Sequence, residues 1–137
     1  MKKMKKFETL EHKADLKIRV FGKAKEELFQ NALFGMTESQ KTEILPGEVK
    51  REIKIKSLDL EALLVDFLSE VLYLTQVNRE IYNDVKFKKF TDIELEGELI
   101  GQKVERFGED IKGVTYHDLD IRQKKDDVWE ATVLFDI

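Results

Sequence analysis

No cysteine occurs among the 137 residues. That excludes disulfides, thiolate metal sites and a thiol nucleophile. The sequence also lacks a phosphate-binding P-loop, a GxGxxG dinucleotide turn, an HExxH zinc helix and a GxSxG nucleophile elbow. Its serines are Ser39, Ser57 and Ser69. Ser57 reads as a helix cap and Ser69 lies inside a helix, so none occupies a nucleophile elbow. The longest apolar stretch, within Leu58–Leu74, is interrupted by Asp59, Glu61, Asp66 and Glu70, so it cannot span a membrane. The opening "MKKMKK" is basic, but no apolar segment follows, so it does not read as a signal peptide. A cytoplasmic location is the simplest expectation.

What is present is a globular composition with a heavily charged surface: 42% hydrophobic and 38% charged residues, mostly Lys and Glu. Such a Lys/Glu bias is common in hyperthermophile proteins. The length suits one domain with a real core, here residues 1–137. The net charge of −4 argues against a general nucleic-acid binder. A local RNA contact through the basic start and "KFKKF", with Phe87 and Phe90 as stacking rings, competes with an ordinary strand bearing exposed lysines.

The apolar spacing predicts an α+β protein. "DLKIRV" (Asp15–Val20) alternates as a half-buried strand with Leu16, Ile18 and Val20 on one face. The next segment repeats Leu28, Phe29, Ala32, Leu33 and Met36 at helical spacing and should end near Gly35–Thr37. "LPGE" (Leu45–Glu48) is a turn holding the only proline. "VKREIKIKS" is a strand with Ile53 and Ile55 facing in, and Ser57 and Asp59 offer capping oxygens to a wide-faced core helix through Leu74. From Val85 the pattern is β-rich, with apolar positions at Val85, Phe87, Phe90, Ile93, Leu95 and Leu99. "RFGED" (Arg106–Asp110) is a loop. In the strand "IKGVTYHDLDIRQ", Val114 and Tyr116 are out of phase with Leu119 and Ile121. Keeping both pairs on the core face requires a bulge near His117–Asp118. "KKDD" is a hairpin turn and Val128–Ile137 the last strand. The result is two helices against a largely antiparallel sheet, with no repeat obvious at the residue level.

Both histidines stand beside acids, in "EHKAD" (Glu11, His12, Asp15) and "YHDLD" (His117, Asp118, Asp120). The chain finishes on Asp136 and the α-carboxylate of Ile137. Adjacent carboxylates repel unless a positive charge lies between them. Oxygen-rich groups of this kind suit hard cations such as Ca²⁺ or Mg²⁺, and a mixed set with imidazole also accepts Mn²⁺ or Zn²⁺. Sequence spacing does not show that the three segments meet.

The order of these motifs resembles the archease family. "FETLEHKADLKIRVFGKAKEELFQNALFGM" is similar to the family's opening, "LDLEALLVDFLSEVLYL" to its core helix, and "IKGVTYHDLDI" and "WEATVLFDI" to its two C-terminal motifs. The resemblance covers nearly the whole chain. It implies one archease-like domain of strand-helix-strand-strand modules, one inserted in the other. It also implies a non-catalytic protein cofactor of the RtcB-type RNA ligase of tRNA splicing, one that promotes guanylylation and multiple turnover and meets RNA only through the ligase. A divalent cation, Ca²⁺ in particular, is implied at Asp15, Asp136 and the main chain of Ile137. His12 falls beside Asp15, Lys112 resembles a residue tied to ligase activation, and His117 lies in the same motif as Lys112. Two positions depart from the family pattern: Lys13 stands where Thr is usual and Gly113 where Ala is usual. Two other readings compete. A stand-alone metal-dependent phosphoesterase would use His12 or His117 as base, and a general chaperone-like module would serve several nucleic-acid-modifying proteins.

Overall fold

The computed structural model describes residues 4–10 and 15–137. The elements run β1 (Phe7–Leu10), β2 (Asp15–Gly22), α1 (Lys25–Ser39), β3 (Glu43–Ile44), β4 (Val49–Lys56), α2 (Leu60–Asn78), β5 (Glu80–Phe90), β6 (Glu94–Arg106), β7 (Gly113–Gln123) and β8 (Trp129–Asp136). The strand pairs are antiparallel, as the alternating patterns imply, but they fall into two four-stranded sheets. One sheet has the order β1-β2-β8-β7. In the other, β6 is central, with β5 on one side and β4 and β3 along the other.

The two sheets repeat one plan. β2-α1-β7-β8 and β4-α2-β5-β6 are both strand-helix-strand-strand units whose last strand lies between the first two. The second unit is inserted between α1 and β7 of the first, which is the arrangement the family resemblance implies. The units interlock through their helices. α1 packs on β2 of its own unit and on β5 of the other, while α2 packs on β7, β5 and β4. One contiguous core results, from Ile18 and Val20 through Phe29, Leu33, Phe67 and Leu68 to Leu99, Val133 and Phe135.

Local chemistry explains most boundaries. The Asp59 carboxylate accepts the Ala62 N–H at 2.8 Å and caps α2. Ser57, the other expected cap, instead donates to Asp66 at 2.6 Å. α1 has no side-chain cap from Ala24. Glu27 reaches back to accept the Lys23 N–H at 2.8 Å, satisfying one of the donors left open at that end. α1 continues past Gly35 to Ser39, because Gly35 is buried against Phe7 and Ile18 and the spacing of buried residues does not break there. β5 begins at Glu80, five residues before the apolar alternation becomes legible. It lies so close over β6 that a Cβ on Gly101 would come within 1.8 Å of the Ile81 carbonyl oxygen.

"KFKKF" lies in β5 and is not a stacking platform. Phe87 and Phe90 turn inward, with ring centroids 5.2 Å apart, and join Phe29 and Phe67. The neighbouring lysines form ion pairs, Lys88 with Glu52 and Lys89 with Glu94, both at 3.1 Å. The direct RNA reading therefore loses its rings to the core and part of its charge to these pairs. Ile93, expected among the apolar positions facing in, sits in the β5–β6 turn and is exposed.

A buried carboxylate locks the inserted unit. Glu80, 1% exposed, accepts Arg51 Nε and Nη2, each at 2.8 Å, and the Tyr82 hydroxyl at 2.7 Å. Hydrogen bonding from Arg51 holds the Glu80 carboxyl below the usual carboxylate range, although burial acts the other way. Burial pushes the Tyr82 phenol up to about 12. A depressed carboxyl contributes stability that is present above its unfolded pKa and lost as pH falls through its folded value. Glu80→Gln should therefore be less stable than wild type at neutral pH. The gap should close on acidification below about pH 4. Denaturant midpoints at several pH values measure it, and a gap independent of pH contradicts the assignment.

Candidate functional site

The last strand runs down the middle of its sheet and ends between the beginnings of two others. Asp136 on β8 is directly opposite Asp15 on β2 and directly opposite Gly113 on β7. Directly opposed residues share one face of a sheet, with Cβ atoms about 5 Å apart. The two aspartates thus stand side by side at one sheet end, although 121 residues separate them in the chain, from 15 to 136. The Lys112 N–H donates to the Asp136 main-chain carbonyl at 2.7 Å, anchoring Lys112 at the same corner with its side chain exposed. A Cβ on Gly113 would lie 3.8 Å from Asp136 Oδ2, an ordinary contact. An alanine fits here without disturbing the carboxylate. Ile137 follows Asp136, half-exposed. His12 and Lys13 lie outside the described residues.

His117 lies on the irregular stretch of β7 that follows Thr115. The expected bulge is present and is larger than one residue. Thr115 is opposite Leu134 and Asp120 opposite Thr132, so five steps on β7 match two on β8. Asp118 takes a left-handed backbone, φ 56°. The bulge carries His117 into solvent, 75% exposed, with Nε2 at 3.6 Å from Asp118. Asp118 in turn reaches Lys17 on β2 at 3.7 Å, bridging β7 to β2 across β8. That bridge crosses the position of Leu134, which is buried although it alternates with core-facing Val133 and Phe135. Tyr116 does not keep the core position the phase argument gave it. It is 58% exposed and its hydroxyl donates to Asp66 at 3.3 Å. Partial burial, and after it the nearby Asp66 carboxylate, raise its pKa. The extra residues absorb the phase slip by looping out, so only Val114, Leu119 and Ile121 pack against the core.

Farther from the corner, the same outer face is tied up in charge pairs. Arg19 meets Glu8 at 2.9 Å and Glu130 at 3.8 Å, and Arg122 meets Asp120 at 2.8 Å and Glu130 at 3.7 Å. At the corner itself two acids are direct neighbours across the strands. Its donors are oxygens, which suits a hard cation. Among the described residues, no three His, Asp or Glu side chains are grouped to hold a metal. An ion here would have to complete its shell with main-chain oxygens, Ile137 the nearest in sequence, and water.

On the opposite face of the same sheet end is a cavity of about 390 Å³, which the sequence did not reveal. It is lined by Phe7, Leu16, Ile111 and Ile137, with Glu38, Lys41 and Glu109 among its polar residues. Phe7 and Thr9 belong to β1, a strand too short for its alternation to be read as one.

Fold and corner together define a class: two interlocked strand-helix-strand-strand units whose final strand carries an aspartate into a paired acidic end. The archease protein family model matches residues 7–137. Protein archease of Methanosarcina barkeri is 37% identical over 97% of each chain, and that of Thermococcus kodakarensis 34% identical over 98% of this chain and 100% of the other. The solution structure of protein 1598 from Methanobacterium thermoautotrophicum superposes with a TM-score of 0.68 at 28% identity, covering 98% of this chain and 100% of that one. An archease from Thermotoga maritima, described as a possible chaperone, shares the fold at a TM-score of 0.70 and 22% identity, each chain fully covered. The chain belongs to the archease family.

Proposed function

We propose that this protein is a non-catalytic cofactor of an RtcB-type RNA ligase in tRNA splicing, promoting the ligase's guanylylation by presenting the Asp15/Asp136 corner with a divalent cation, Ca²⁺ in particular. The observation that carries the reading is the direct opposition of Asp15 and Asp136, with Lys112 anchored to Asp136 by a main-chain hydrogen bond. A cation between the carboxylates relieves their repulsion and holds the sheet end rigid. Lys112 supplies a positive contact beside it. Such an end, inserted into the ligase's nucleotide cleft, favours the guanylylation-competent conformer by binding it more tightly than the resting one. Each tenfold preference shifts that equilibrium by about 1.4 kcal/mol. The action takes place in the cytoplasm, and RNA is met only through the ligase. Among the described residues, no helix is long and apolar enough to cross a membrane.

The test is the rate of GTP-dependent guanylylation of the host's RNA ligase. Wild-type protein should raise it, and Asp136→Ala and Lys112→Ala should not, while both variants keep the wild-type circular-dichroism spectrum. Equal stimulation by Asp136→Ala overturns the reading. Equal stimulation of unrelated nucleic-acid-modifying proteins would favour a general chaperone instead.

A further inference from the structure

The chain alternates faces at the sheet end, and its two faces there are unlike. Asp15 and Asp136 form the acidic corner on one side, while their immediate neighbours Leu16 and Ile137 line the cavity on the other. Apolar walls with a few polar groups, at about 390 Å³, match a site that takes a side chain or small ligand. The cavity also has a charge bias. Glu38 and Glu109 outnumber Lys41 among its lining residues.

We infer that this cavity is a second contact for the partner protein. It receives one large apolar side chain carried on a basic segment, so that the partner grips the sheet end from both faces. This rests on the ligase-cofactor reading for the partner's identity. Charge decides the occupant's flanks: a segment bearing Lys or Arg is attracted by Glu38 and Glu109, whereas an acidic segment is repelled. Ile137 belongs to both sides, its side chain to the cavity and its main chain to the proposed cation shell. Filling the cavity therefore steadies the residue the cation needs, and the two binding events are coupled reciprocally.

Thr9→Phe tests the inference, because Thr9 is an exposed residue of the lining and a larger ring there blocks the cavity without entering the core. Ligase affinity by titration calorimetry should fall about tenfold to a hundredfold, the range for losing one buried apolar side chain. Ca²⁺ affinity in the absence of ligase should not fall, and the unfolding midpoint should stay at the wild-type value. Glu109→Lys, which reverses charge at the cavity without filling it, should weaken binding more at low salt than at high salt. Wild-type ligase affinity for Thr9→Phe, alongside lost activation by Asp136→Ala, overturns the cavity proposal and leaves the cofactor reading standing. Wild-type behaviour of both variants overturns the cofactor reading and this inference with it.

Discussion

Ca²⁺ should raise the unfolding midpoint of the wild-type protein and leave that of Asp136→Asn unchanged. A ligand that binds only the folded state adds about 2.7 kcal/mol when its free concentration is a hundred times its dissociation constant. For a chain of this length that is a shift on the order of 10 °C. The substitution keeps the shape of the side chain and removes one of the two charges proposed to hold the ion. It also removes a like charge directly opposite Asp15, an arrangement that is unfavourable in sheets. Asp136→Asn should therefore be no less stable than wild type when chelator is present and clearly less stable when Ca²⁺ is present. Differential scanning calorimetry in the two buffers reads both signs at once. An equal Ca²⁺ shift in the two proteins would place the ion elsewhere.

Phe67→Ala should be the most damaging single truncation in the core, at about 3–5 kcal/mol. Phe67 is fully buried in α2. Its ring lies 5.8 Å from that of Phe29 in α1 and 6.0 Å from that of Phe87 in β5, so it joins both units and both helices. Truncation leaves a cavity where the units interlock. Phe67→Leu, which retains most of the volume, should recover more than half of the loss. Chemical denaturation of the two variants decides between this view and one in which the units are independently stable. In the latter case the Phe67→Ala transition would split into two phases.

Helix and strand identities were legible because each element buries one face of a regular period. Leu28 to Met36 and Leu60 to Leu74 keep a helical stripe, and Ile18 and Val20 or Val133 and Phe135 keep a strand alternation. The bulge in β7 was legible for the same reason: two apolar phases in one strand cannot share a face without extra residues. Its size was not, since the number of residues looped out depends on the Lys17–Asp118 bridge and the Tyr116–Asp66 contact, both between elements distant in sequence. Ser57 and Asp59 illustrate the limit at short range. Both are good capping residues, and only the position of Asp66 one turn into α2 assigns Ser57 another partner.

By itself the sequence determined the chemical kinds available to this protein: carboxylates and two histidines but no thiol, and an amphipathic pattern sufficient for an α+β core. It also placed an acid at each of three separate segments. Which of those acids become neighbours was decided only by tertiary structure. Strand register sets Asp136 against Asp15 and Gly113, and a shift of one residue would turn Asp136 to the core face. The same sheet exposes His117 on the bulge and opens a cavity behind Leu16 and Ile137. Periodicity is a local property, carried by each segment alone. Pairing between residues 15 and 136 depends on how the inserted unit spaces β2 from β8, and no local pattern records that.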